Sequence, residues 1–277
     1  MNGPRHFAQV DVFGDDAAYG NPVAVVIDGD GLDDAELQRF ANWTNLSETT
    51  FLLPPTKPGA DYRVRIFTPS RELPFAGHPT LGSAHAWLEA SGQVLRERVV
   101  QECGAGLIEV RRGAEGRLAF AGPPLTRSGA LDDATLSAIV ASLGISRDEV
   151  VDHAWTDNGP GWATVLLASA ERVLALAPSE PGESREIGVV GLHPDGTPEV
   201  RAFVIEDGGY WEDPVTGSLN AGVAEWLLGT GRLTAPYVAR QGTALGRSGR
   251  VHVSRTDDGT VWVGGQTRTV LSGSLTL

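Results

Sequence analysis

The hydrophobic positions of the chain fall in short runs. The segments 8–13, 22–27, 50–53, 62–67, 94–102, 106–111 and 117–120 are rich in Val, Ile and Phe and are separated by Gly, Pro and Asp. That texture predicts strands. Two stretches between them, 33–43 and 79–90, read as helices, the second carrying Ala84, Ala86, Trp87 and Leu88. After Gly122-Pro123-Pro124 the same texture returns. A helix is predicted over 134–143, strands over 163–167 and 200–205, and a long helix over 214–228. Strand character then recurs at Val238, 250–254, 260–263 and 267–271. No run approaches 18 consecutive apolar residues, the span a membrane helix needs.

The two halves share wording. His78-Pro79-Thr80-Leu81-Gly82-Ser83 can be laid on Asp213-Pro214-Val215-Thr216-Gly217-Ser218 at an offset of 135, keeping Pro, Gly and Ser. Each copy follows a similar strand, Arg65-Ile66-Phe67 or Arg201-Ala202-Phe203, and leads into a helix carrying Trp-Leu. The Trp-Leu pairs are 139 apart. A difference of four residues is close to one helical turn, so the second helix is expected to be one turn longer. Short Gly/Pro motifs also match by chance, but an offset of half the chain length favours duplication. The expectation is an α+β protein of two pseudo-symmetric lobes, 1–124 and 125–277, with room for the last strand to return to the N-terminal lobe. Proline suits the first helical position, which puts His78 and Asp213 at the N-caps of their helices. Two helix starts facing each other across a lobe interface would offer N–H groups and positive dipole ends to a carboxylate.

Composition narrows the partners. A chain of 277 residues with 41% hydrophobic and 21% charged residues has enough apolar material for one large or two medium cores. Its formal charge of −13 disfavours nucleic acid and anionic membranes, both of which reward clustered Lys and Arg. An anionic substrate would need local donors to overcome that field. Cys103 is the only cysteine, which excludes an internal disulfide and a thiolate zinc site. The opening residues contain no apolar signal core, so a cytoplasmic protein is expected and the glycosylation-like triplets at Asn42 and Asn45 carry no meaning. A homodimer is compatible with the sequence, although no feature locates an interface.

The candidate chemistry is carboxylate and imidazole. Glu48 lies in Asn45-Leu46-Ser47-Glu48-Thr49 between a helix and a strand, a place where function concentrates but where a solvated carboxylate is also ordinary. His78, between Gly77 and Pro79, either points at a ligand or serves the fold. Capping alone would explain Asp213, a dipole partnership Glu212, and a bond back to a carbonyl Ser218. There is no phosphate loop, no G-x-G-x-x-G between strand and helix, no closely spaced His pair for a metal and no G-x-S-x-G elbow. The chemistry left needs neither cofactor nor metal.

Several strings resemble the PhzF-like family of phenazine biosynthesis. They are Gly20-Asn21-Pro22-Val23-Ala24-Val25-Val26, Asn45-Leu46-Ser47-Glu48-Thr49, Phe75-Ala76-Gly77-His78-Pro79-Thr80-Leu81-Gly82, Glu212-Asp213-Pro214-Val215-Thr216-Gly217-Ser218, and Gln241-Gly242 followed by Gly246-Arg247-Ser248-Gly249-Arg250. They run in order over nearly the whole chain. The resemblance implies the diaminopimelate-epimerase-like fold: two lobes, each a β-barrel-like sheet around a central helix, with the active site between them. Racemases and epimerases of that fold use one thiol from each lobe, and Cys103 belongs to neither helix motif, so residue count excludes a two-thiol mechanism here. The family's isomerase uses the glutamate matching Glu48, supported by His, Asp and Ser matching His78, Asp213 and Ser218. On that basis Glu48 shifts a proton on a small carboxylate-bearing substrate, in the family's defined member a dihydro-hydroxyanthranilate. His78, Asp213 and Ser218 hold its amino or hydroxyl groups, and the backbone at Gly77 and Gly217 holds its carboxylate. Fold and catalytic frame tolerate many ligands, so the substrate transfers less securely than the proton shift. The competing reading is a non-catalytic small-molecule-binding protein that keeps the cleft.

Overall fold

Strands apolar on both faces and two helices buried all the way round their first two turns decide the architecture. In the computed structural model, which describes residues 3–178, 185–206 and 209–277, the chain divides into two units, Met1–Ala121 with Gly264–Leu277, and Gly122–Val263. The elements of the first stretch are β1 (Arg5–Val12), β2 (Asn21–Val26), α1 (Asp34–Thr44), β3 (Glu48–Leu53), β4 (Tyr62–Phe67), β5 (Glu72–Leu73), α2 (Gly77–Ala90), β6 (Arg98–Cys103), β7 (Gly106–Arg112) and β8 (Leu118–Ala121). There follow β9 (Arg127–Gly129), α3 (Asp133–Leu143), β10 (Val150–Asp157), β11 (Ala163–Leu167), α4 (Ala170–Leu174), β12 (Arg185–Leu192), β13 (Pro198–Glu206), β14 (Gly209–Asp213), α5 (Gly217–Gly229), β15 (Tyr237–Gln241) and β16 (Gly249–Arg255). The division falls within β17 (Val261–Gly265), and β18 (Thr267–Leu275) belongs to the first unit. Among the described residues no helix is long and apolar enough to cross a membrane.

Each unit repeats one pairing scheme. In the first, β1–β2 is antiparallel, β2–β3 parallel, β3–β4 antiparallel, β4–β6 parallel and β6–β7 antiparallel. In the second, β10–β11, β11–β12, β12–β13, β13–β15 and β15–β16 follow the same alternation. The first strand of each scheme also has an antiparallel partner, β18 for β1 and β9 for β10. Parallel neighbours need a crossover, and α1 and α2 supply the two in the first unit, α4 and α5 those in the second.

The period of two along β3 shows how its sheet is covered. Phe51 packs with Val26, Leu37, Phe40, Ala41 and Phe67 under α1. Its neighbour Thr50 turns to the other face, where its hydroxyl accepts from Ser83 of α2 at 2.9 Å. The strand is therefore buried on both sides, which is why it reads as continuous rather than alternating. Glu48, two residues from Thr50, shares the α2 face. In the second unit Ile187 and Val189 join the core under α3 and α4, while Gly188 meets Leu219 of α5. The central helix of the first unit touches β1, β2, β3, β4, β6, β7, β8 and β18. Its residues from Gly77 to Ala84 are all buried, as are those of α5 from Gly217 to Ala224, the burial expected of a helix inside a core.

Three sequence expectations are corrected. The N-caps are Ala76 and Thr216, with no side-chain cap bond, so His78 is the second helical residue and Asp213 precedes its helix altogether. Pro79 is still tolerated because N–H groups of the first turn have no intrahelical acceptor. Second, α5 is not a turn longer: it has 13 residues against 14 in α2. The extra four residues lie in the hairpin before it. Arg65 grips Glu72 through paired bonds of 2.8 and 2.6 Å across 7 residues, whereas Arg201 grips Glu212 through 3.0 and 2.7 Å across 11. Both guanidinium groups also lie over a ring, Phe67 at 5.1 Å and Phe203 at 4.8 Å. The register at the helix starts is consequently 140, which matches His78 with Ser218 rather than with Asp213. Third, the strand expected from residue 94 starts at Arg98, because 93–97 form a turn in which Leu95 is 85% exposed.

Candidate active site

Glu48 begins β3 just beyond Leu46 and Ser47, which follow the left-handed C-cap Asn45 of α1 (φ 54°, ψ 30°). The Thr44 and Thr49 hydroxyls, 2.7 Å apart, tie the helix end to the strand. The Glu48 side chain is 13% exposed, and its Oε2 lies 3.3 Å from His78 Nε2. That distance suits an ion pair, but the approach is not aligned as a hydrogen bond. Burial pushes the His78 imidazole down to about 3, against the opposing effect of a hydrogen bond to the Pro22 carbonyl. At neutral pH the carboxyl group therefore faces a neutral ring.

The other side of His78 explains the string beginning at Gly20. Asn21 Nδ2 lies 3.3 Å from His78 Nδ1. The N–H of Gly20 donates to both oxygens of buried Asp11, at 3.1 and 3.0 Å, which fixes the entry into β2. Gly20 passes so close to β1 that a Cβ would lie 2.1 Å from the Val12 carbonyl oxygen. Sequence reasoning used this string only as a family signature and assigned neither Asn21 nor Asp11 a role.

The second unit presents a matching cluster at the start of α5. Asp213 ends β14, buried, and its Oδ2 accepts from the Thr216 hydroxyl at 2.6 Å. Ser218, in the same helical position as His78, accepts at Oγ from Trp162 Nε1 at 3.0 Å, while its carbonyl accepts from Asn158 Nδ2 at 2.9 Å. Neither Trp162 nor Asn158 carried a signal in the sequence, since one reads as core and the other as turn. Gly77 and Gly217 are the first helical residues, and the first intrahelical bonds are those from Thr80 to Ala76 and from Asn220 to Thr216. The N–H groups before them are outside the helical ladder and carry the positive end of the dipole.

The structure thus brings Glu48 and His78 together in one unit and gathers Asp213 and Ser218 around one helix start in the other. Cys103 is buried at the β6–β7 turn, outside both helix motifs in the sequence, with its thiol pushed up by burial. Among the described residues no group of three or more His, Cys, Asp or Glu side chains is placed to share a metal ion. A depression of about 400 Å³ on the first unit, lined by His6, Ala86, Glu89 and Thr269 among others, includes none of these site residues.

Comparisons with known proteins identify the family and the fold. An antisense-enhancing sequence 1 protein of Schizosaccharomyces pombe is 37% identical, covering 96% of this chain and 97% of its own. A trans-2,3-dihydro-3-hydroxyanthranilate isomerase of Pseudomonas fluorescens is 34% identical over 88% of this chain and 87% of its own. The crystal structure of a Bacillus anthracis phenazine biosynthesis protein of the PhzF family superposes with a TM-score of 0.82 at 21% identity, covering 99% of this chain and 100% of that one. The fold is the diaminopimelate-epimerase-like one that the motifs implied, and the relatives named isomerases define the class: the chain is an isomerase. Residues 10–273 match the model of the phenazine biosynthesis-like (PhzC-PhzF) proteins, and the chain belongs to that family.

Proposed function

We propose that the chain is a cofactor-independent isomerase in which Glu48 takes a proton from carbon and returns it elsewhere on the same small, carboxylate-bearing substrate. The observation that carries this reading is the contact between Glu48 and a histidine held neutral by burial. A ring whose protonated form is disfavoured down to about 3 cannot store the abstracted proton, so the proton stays on Glu48 until it is returned. Nothing is gained or lost over the cycle: one C–H bond breaks, another forms, and the double bond moves between them. His78 orients the carboxyl group.

Asp213 and Ser218 hold the amino or hydroxyl groups of that substrate, and the N–H groups at Gly77 and Gly217 receive its carboxylate. A dihydro-hydroxyanthranilate fits this set of groups, as the name of the Pseudomonas fluorescens relative suggests. The test is turnover of trans-2,3-dihydro-3-hydroxyanthranilate. Glu48→Gln, which keeps shape and removes the base, should lower kcat by about 10²- to 10⁴-fold while the protein stays folded. Equal turnover by wild type and variant would refute the role of Glu48. Binding without turnover by the wild type would favour the non-catalytic reading.

A further inference from the structure

Gln241, at the end of β15 and fully buried, has the orientation of its amide fixed by partners that have no choice of role. The Thr216 N–H can only donate, and it reaches Gln241 Oε1 at 3.0 Å. The Asp213 carbonyl can only accept, and it receives Gln241 Nε2 at 3.2 Å. A flipped amide would break both bonds. The remaining hydrogen of Nε2 therefore goes to Thr216 Oγ1 at 2.9 Å, and Asn220 Nδ2 completes Oε1 at 2.8 Å. Having accepted from Gln241, the Thr216 hydroxyl directs its own hydrogen to Asp213 Oδ2 at 2.6 Å. The chain of donors runs one way, from amide to hydroxyl to carboxylate.

The first unit shows what this glutamine does when no carboxylate is present. Gln101, also fully buried, donates through Nε2 to Thr80 Oγ1 at 2.9 Å and accepts from the Tyr62 hydroxyl at 3.0 Å. Thr80 is the fourth residue of α2, as Asn220 is of α5, so both glutamines brace the first turn of the central helix. The residues matching Thr216 and Asp213 are Ala76 and Leu73, and neither can continue the chain. Bracing the helix needs only the glutamine. The threonine hydroxyl and the aspartate carboxylate added in the second unit have no counterpart in the first.

We propose that Gln241 is a positioning residue for Asp213: by committing the Thr216 hydroxyl to the carboxylate, it sets the orientation in which Asp213 meets the substrate. This rests on the reading of Asp213 as a substrate-holding group. Thr216→Val removes the link while leaving Gln241 in place. It should displace the ¹³Cγ resonance of Asp213, assigned by its disappearance in Asp213→Asn, and lower kcat/KM on trans-2,3-dihydro-3-hydroxyanthranilate about tenfold, mainly through KM. Thr216→Ser should restore both. Gln241→Glu keeps the acceptor but offers no N–H, so the Thr216 hydroxyl turns to it, and the resonance moves as in Thr216→Val; the double variant should lose no more than either single one. An unmoved resonance in folded Thr216→Val, or losses that multiply in the double variant, would overturn the proposal. A wild type that does not turn over this compound counts against the proposed function only, because the resonance still decides the role of Gln241.

Discussion

His78 is the residue at which fold and chemistry are hardest to separate. It is buried in the first turn of α2, touched by Asn21 on one side and Glu48 on the other. Its depressed affinity for protons has a consequence for stability whose sign is fixed. The unfolded chain binds a proton on this ring below about 6.5 and the folded one only near 3, so the unfolded state holds more protons between those values. Stability contributed by the neutral ring is complete above the unfolded value and is lost as the pH falls through that window. Denaturant titrations from pH 7 to 4 should show wild-type stability declining with a slope approaching about 1.4 kcal/mol per pH unit more than in His78→Gln. Parallel slopes would mean that the folded ring binds a proton as readily as the unfolded one and could take the proton from Glu48.

At the scale of elements, the two central helices set the geometry, and each comes within contact distance of its sheet at one glycine. A Cβ on Gly82 would lie 2.3 Å from Val23 Cγ1, and one on Gly222 would lie 2.1 Å from the Thr156 carbonyl oxygen. Gly222→Ala meets backbone and should destabilise by about 1–3 kcal/mol or more, with Gly82→Ala milder because a side chain can shift. Gly229→Ala, at the end of α5 with nothing within 4 Å, should instead stabilise by about 0.5–1 kcal/mol. Thermal melts of the three variants check this order. The same pair of glycines shows what could be read in advance. Most strands, four of the five helices and the repeat were legible from apolar runs and Gly/Pro punctuation, whereas β10, β12 and the short α4 were not. The register of the repeat was not, because His78-Pro79 and Asp213-Pro214 look alike as letters although the hairpin before the second is four residues longer. Strand β12 was hidden for a related reason: Gly188 and Gly191 read as breakers, yet close packing requires small residues there. The four named site residues came from the family motifs, whereas Asn21, Trp162, Asn158 and Gln241 act through hydrogen bonds that join distant segments and leave no local pattern.

Across the whole molecule, duplication gives the same frame twice and the two copies diverge at the starts of the central helices. One helix start carries His78 facing Glu48; the other carries Ser218 beside Asp213. With a net charge of −13, an anionic substrate calls for local donors, and the proposed carboxylate contacts at those starts supply them. The central claim is that Glu48 itself carries the proton between two carbons, and solvent isotope incorporation reads it most directly. With trans-2,3-dihydro-3-hydroxyanthranilate in deuterated water, the carboxyl proton on Glu48 exchanges with solvent in part of the turnovers before it is returned, so the wild type should place deuterium on the carbon that is newly protonated. Glu48→Gln, folded and still binding the compound, should leave substrate and product unlabelled above the uncatalysed background. Labelling by Glu48→Gln at the wild-type rate would contradict the account and move the proton to another group.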